Sequence, residues 1–297
     1  MSHRWKLLIA IVVVMLVLTA IWAMTNGVGP KNEVEAYKKT LIAKGEKLEI
    51  SQVTPPLVPL GQNGADILSQ ALGMLTPMDY EKSNEVPAMQ MIAPGKAIVC
   101  FQQPEIRGDS FTNSWSNVMA IVEADRPVTK LLEQAGNFSS IDFQADYTDS
   151  PDEWPPEHFV RPLAYGTYRL MAEAMYDLHT GDTASAVTNI CAMLALANGE
   201  RDERFNISQA IRRRTVDLAA GANWELLQST NINDTELEML QQNWERLEFI
   251  RAIENVLLLN RAGLETTIRK MEDSDEYFNE TVKKMGWATK KPRWRLE

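Results

Sequence analysis

The sequence is short of the residues that build reactive centres. Its 297 residues contain two cysteines, Cys100 and Cys191, and three histidines, His3, His158 and His179. Neither His158 nor His179 has a second histidine or a cysteine at ligand spacing, which argues against a zinc site. No G-x-S-x-G elbow is present, and Ser114 and Ser208 read as helix-start serines. No glycine-rich phosphate loop joins a strand to a helix; Gly27 and Gly29 lie elsewhere, just after a hydrophobic run. Positive charge is also in deficit. A net charge of −10 argues against nucleic acid as the partner of the whole chain. The sequence therefore names no catalytic residue, no cofactor and no metal site.

What is present begins with Leu7–Met24, LLIAIVVVMLVLTAIWAM, which carries no charge. As a helix rising about 1.5 Å per residue it covers about 27 Å, close to the thickness of a bilayer core. Trp5 and Trp22 flank it at interfacial positions. The expectation is one uncleaved transmembrane helix. A cleaved signal peptide is the alternative, with Thr25-Asn26-Gly27 as its weak site. Arg4 and Lys6 abut the entry while Thr25 to Pro30 is neutral, which places the N-terminus inside and the soluble domain outside. Such a domain permits a Cys100–Cys191 disulfide. Cys191 also sits in an apolar helical run, where a buried free thiol is the ordinary state. Both readings stand.

The rest reads as mostly helix. Lys31 to Glu46 is a charged helix ending near Gly45, and Pro55, Pro56 and Pro59 make Val53 to Leu60 an extended linker. Asn63 to Leu75 has apolar residues at helical spacing. Lys96 to Phe101 reads as a strand with Ile141 to Tyr147 as its mate, and Asn113 to Ala135 as a helix that Pro127 restarts or kinks. Pro162–His179 and Thr183–Asn198 form a helical hairpin around Gly181-Asp182, followed by a helix from Asn206 to Gln228. A fourth helix starts at Thr235, in capping-box spacing with Glu238. Its apolar seam includes Leu237, Leu240, Trp244, Leu247, Ile253 and Ile268. Ile250, Leu257, Leu264 and Met271 on that seam fall seven apart. Gly263 is its expected break.

Three charged features stand out. Asp142, Asp146, Asp149, Asp152, Glu153 and Glu157 crowd one proline-rich loop but match no EF-hand spacing. Arg212, Arg213 and Arg214 are about 100° apart around a helix, so at least one is expected to meet an acid; Asp177, Asp182 and Asp217 are the candidates. The C-terminal tail bears Lys283, Lys284, Lys290, Lys291, Arg293 and Arg295, interleaved with Trp287 and Trp294. That reversal of sign suits anionic headgroups or another polyanion. It equally suits a tail whose tryptophans cover the helical core.

Tyr168 to Ala197, with small residues Ala172, Ala174, Ala184 and Ala186 beside a Gly-Asp turn, resembles one tetratricopeptide-like unit. No second copy follows at a period of about 34 residues, so no solenoid is implied. More broadly, the anchor, Lys44 to Leu48 with Pro55 to Pro59 and Asn63 to Ala65, and Arg161 to Asp182 resemble a group of anchored, mostly helical bacterial envelope proteins. The resemblance implies an envelope location and no particular chemistry.

By composition the chain divides into an anchor (1–30), a juxtamembrane helix and linker (31–62), a mixed helical region (63–157) and a helical bundle with a basic tail (158–297). The fold class expected is mostly α: an irregular bundle of helical hairpins with at most a small two-stranded β element, preceded by one transmembrane helix. The expected function is that of an envelope protein held in the membrane by Leu7–Met24, with a scaffold or protein-binding role. The alternative is a hydrolase using carboxylates of the Asp142–Glu157 loop.

Overall fold

A computed structural model describes residues 14–15, 28–75, 86–107, 112–147 and 157–284. Most of the Leu7–Met24 run, residues 148–156 of the acidic loop, and the tail from 285 onward, with Trp287, Lys290, Lys291, Arg293, Trp294 and Arg295, lie outside the described residues. Among the described residues no helix is long and apolar enough to cross a membrane. The chain packs as two compact units, one of Val53–Asn260 and one of Met1–Gln52 with Arg261–Glu297.

The larger unit is a helical bundle. Its helices are α3 (Ala65–Gly73), α4 (Trp115–Gly136), α5 (Glu157–Thr180), α6 (Thr183–Gly199), α7 (Asn206–Leu226) and α8 (Asp234–Glu245). Helix α6 is the centre, since α4, α5, α7 and α8 all pack on it. Its sequence explains why: Ala186, Val187, Ile190, Met193, Leu194, Leu196 and Ala197 point several ways and all are buried, as expected of a helix apolar on more than one side. The α5–α6 hairpin turns at Gly181, whose φ of +88° suits glycine. Asp182 then caps α6, accepting from the Ser185 amide at 3.1 Å.

Several details differ from the sequence reading. Among the described residues two two-stranded sheets form rather than one at most. In the first, β1 (Gln90–Ala93) pairs antiparallel with β2 (Lys96–Ile98). In the second, β3 (Ile106–Arg107) pairs with β4 (Thr112–Asn113). The expected mate of Lys96–Phe101 is thus replaced by a local one. Gly95, at φ +72°, closes a tight β1–β2 turn, and a short loop costs less entropy than a distant pairing. The Ile141–Tyr147 segment is engaged elsewhere: the Ile141 amide donates to Gly199 O at 2.9 Å, and the Asn63 side chain clasps the backbone of Asp142.

Helix α4 runs unbroken across Pro127. Pro127 and Glu123, the residue whose carbonyl loses its donor, are both exposed, so water meets that carbonyl. The capping box lies two residues earlier than expected, at Asn233 and Glu236. The long fourth helix is interrupted at 246–249, not at Gly263, so that α9 (Ile250–Asp273) is a separate helix with Gly263 buried inside it.

The smaller unit contains α1 (Val28–Ala43), the later turns of α9, and α10 (Asp275–Lys284); the single turn α2 (Ile50–Val53) ends where the larger unit begins. Ion pairs tie α1 and the segment after it to α9. Lys38 meets Glu265, Arg261 meets Glu46 at 2.8 Å, and Arg269 meets Glu49 at 3.0 Å. These pairs are partly exposed and contribute geometry more than stability. Val34, Ile42, Leu48 and Ile268 line a groove of about 770 Å³ within this unit.

Candidate binding cleft

The larger unit carries a cleft of about 620 Å³ where the end of α4, the middle of α6 and the end of α8 meet. Small residues open it. Gly136 approaches α6 so closely that a Cβ there would lie 3.2 Å from Ala195 Cβ. Ala192 and Ala195 form the floor, and Phe138 and Met239 add apolar surface. The rest of the lining is polar: Asn137, Ser139, Thr188, Asn198 and Asn243 with Arg201, Arg246 and Glu133.

These polar groups are unequally engaged. Arg201 holds Asp202 at 3.3 Å. Arg246, just past the end of α8, meets no carboxylate of the described residues within ion-pair distance. Asn198 Oδ1 is buried with no hydrogen-bond partner among the described residues, a condition that costs free energy. Burial, then the nearby Glu173 carboxylate, pushes the Glu133 carboxyl above its usual range. Burial also pushes the Cys191 thiol up to about 11. A protonated thiol is a poor nucleophile.

The residues singled out from sequence have structural roles. Cys100 and Cys191 are both free thiols. The Cys100 amide donates to Glu225 Oε1 at 2.8 Å and the Phe101 amide to Oε2 at 3.3 Å, so a buried carboxylate anchors this loop. His179 stacks on Trp115 with ring centroids 4.0 Å apart, its Nδ1 2.9 Å from Phe101 O. Ser114 caps α4 as expected. Ser208 does not start its helix: Phe205 holds that position and offers no side-chain cap.

The arginine run differs from expectation too. Arg212 is fully buried and meets none of the three candidate acids. Its Nε donates to Ala197 O at 2.6 Å and its Nη2 to Glu248 O at 3.0 Å, and its guanidinium lies over the Phe249 ring. The charge that favours it most is Glu200. Asp177 instead accepts from Asn189 Nδ2 at 3.0 Å, and Asp182 caps α6. Arg214 donates to the Tyr168 hydroxyl at 2.7 Å, and Arg213 is exposed.

In the acidic loop, Asp142 and Asp146 are described. Asp142 lies beside Tyr147 and Glu203, and the Tyr147 hydroxyl donates to Glu203 Oε2 at 3.3 Å. Burial, then the Asp142 charge, raises the Glu203 carboxyl to about 7. Among the described residues no group of three or more histidine, cysteine, aspartate or glutamate side chains is placed to hold a metal ion. Glu200, Glu203, Asn198 and Arg246 belong to no sequence motif; for the first three, the polar cluster from Asn198 to Arg204 at the end of α6 is the one visible signal. Comparison with models of known families, with curated proteins and with solved structures found no match.

Proposed function

We propose that this chain is a membrane-anchored envelope protein whose soluble part binds other proteins. The carrying observation is the orientation of α9. In the larger unit, Ile250, Ile253 and Leu257 are 76, 52 and 61% exposed, whereas Ala252, Val256 and Leu259 are buried. Positions i, i+3 and i+7 share one face of a helix. A three-residue apolar ladder thus faces outward, in the pattern that helices use to seat on another helix or in a groove. In the smaller unit, Leu264 and Ile268 are also exposed.

The membrane part of the reading rests on the charge-free Leu7–Met24 run and on the resemblance of Lys44 to Ala65 and Arg161 to Asp182 to anchored envelope proteins. The basic tail with Trp287 and Trp294 fits a surface of anionic lipid. Affinity isolation of the full chain and of Leu257→Glu from detergent extracts tests the binding role. Partners retained by the unaltered chain and lost by the variant are expected; the same partners on both would overturn the α9 assignment. A periplasm-active reporter fused after Glu297 should be active, and activity of a cytoplasm-active one instead would reverse the topology.

The hydrolase reading keeps one supporting observation, the pairing of Asp142 with a Glu203 whose proton affinity is raised. Glu203 is buried, and neither acid lines the cleft above.

A further inference from the structure

We infer that the cleft between α4, α6 and α8 binds a small polyhydroxylated anion, of the sugar-phosphate or sugar-acid class. The inference is independent of the α9 face and of the membrane anchor. Its volume of about 620 Å³ suits a ligand of monosaccharide size or somewhat larger.

The chemistry of the lining selects the class. A guanidinium binds phosphate or carboxylate by two parallel N–H donors. Arg246 is such a group at the cleft, and Arg201 lies on the same lining with its Nε already turned to Asp202. Five neutral amide and hydroxyl side chains accompany them: Asn137, Ser139, Thr188, Asn198 and Asn243. Each accepts and donates, which is what a ring of hydroxyls requires. Phe138 offers an apolar face for the C–H side of a sugar, and the Ala192–Ala195 floor leaves room beneath it.

The other side chains of the cleft agree with an anion. Glu133 is the one acid in the lining, against two guanidiniums. The Cys191 thiol is neutral. A cation would find two guanidiniums and little negative charge.

Titration calorimetry on the full chain in detergent tests this with four probes: glucose 6-phosphate, glucuronate, inorganic phosphate and glucose. Binding of either polyol anion, at least about tenfold tighter than both inorganic phosphate and glucose, is expected. A preference between the first two tells phosphate from carboxylate. Raising salt should weaken binding. Arg246→Gln should cost about tenfold or more for the polyol anion. Arg246 is exposed, so the fold should persist, as circular dichroism will check. Thr188→Phe is the second variant: Thr188 is exposed and its hydroxyl bonds only the Ala184 carbonyl of its own helix. It should block the polyol anion by bulk. No binding of either polyol anion at about 10 mM, equal affinity for inorganic phosphate, or unchanged affinity in both variants would overturn the assignment.

Discussion

Arg212 Nη2 donates to the main-chain carbonyl of Glu248 across 3.0 Å, tying the middle of α7 to the break between α8 and α9. A carbonyl given to a side chain marks where the helical ladder stops, and Leu247 turns back to Trp244 O just before it. The same guanidinium holds Ala197 O near the end of α6 and faces the Glu200 carboxylate. Arg212→Met removes the donor and leaves two buried carbonyls without it. We expect a loss of about 2–6 kcal/mol, at about 1–3 kcal/mol for each acceptor left unpaired. Urea unfolding of the variant measures it. A loss below about 1 kcal/mol would show that the two carbonyls find other donors.

That strut explains one limit of the sequence. The α5–α6 hairpin was legible because Gly181-Asp182 carries its own turn and cap signals between two apolar runs. The interruption after Glu245 had no local signal; a buried arginine on another helix makes it. The ladder at Ile250 and Leu257 was legible as a helical face, yet periodicity says only that a face is apolar, not which way it points. Ala252, Val256 and Leu259 offered a second, less bulky face, and that face is the buried one. The cleft was the least legible feature. Its polar residues come from three helices, and only packing at Gly136 brings them together.

The two faces of α9 should separate in stability measurements. Leu259→Ala empties a buried site and should cost about 2–5 kcal/mol. Leu257→Glu alters an exposed position and should change stability by less than about 0.5 kcal/mol. Thermal or urea unfolding decides. A large loss for Leu257→Glu would mean that this residue is covered within the protein and would remove the basis for the partner-binding role.

The thiols should resist modification in the native state. Burial raises the Cys100 thiol to about 12 and the Cys191 thiol to about 11, and the thiolate is the reacting form. Iodoacetamide at pH 8 should label neither residue until denaturant is added. After thiol blocking, reduced and non-reduced samples should migrate alike. A mobility difference abolished by substituting either cysteine would instead show a disulfide.

Stability should fall as pH rises from about 4 to about 7. The Asp177 carboxyl is raised to about 7, first by burial, then by the Glu173 and Asp182 carboxylates beside it, while Asn189 and Arg126 oppose the shift. Glu203 is raised to about 7 as well. A raised carboxyl holds its proton in the folded protein at pH values where the unfolded chain has released it. Folding therefore takes up protons in this window, and raising the pH disfavours it. Each group contributes a slope of up to about 1.4 kcal/mol per pH unit, flattening above pH 7 where both states are ionised. Asp177→Asn keeps an acceptor for Asn189 without the charge, and Glu203→Gln keeps one for Tyr147. Each substitution should flatten the profile and raise stability at pH 8 relative to the unaltered chain. Urea midpoints measured at half-unit steps between pH 4 and 8 test this. An Asp177→Asn variant with an unchanged slope, or one less stable at pH 8, would show that Asp177 is ionised throughout and that its charge is compensated within the α5–α6 packing.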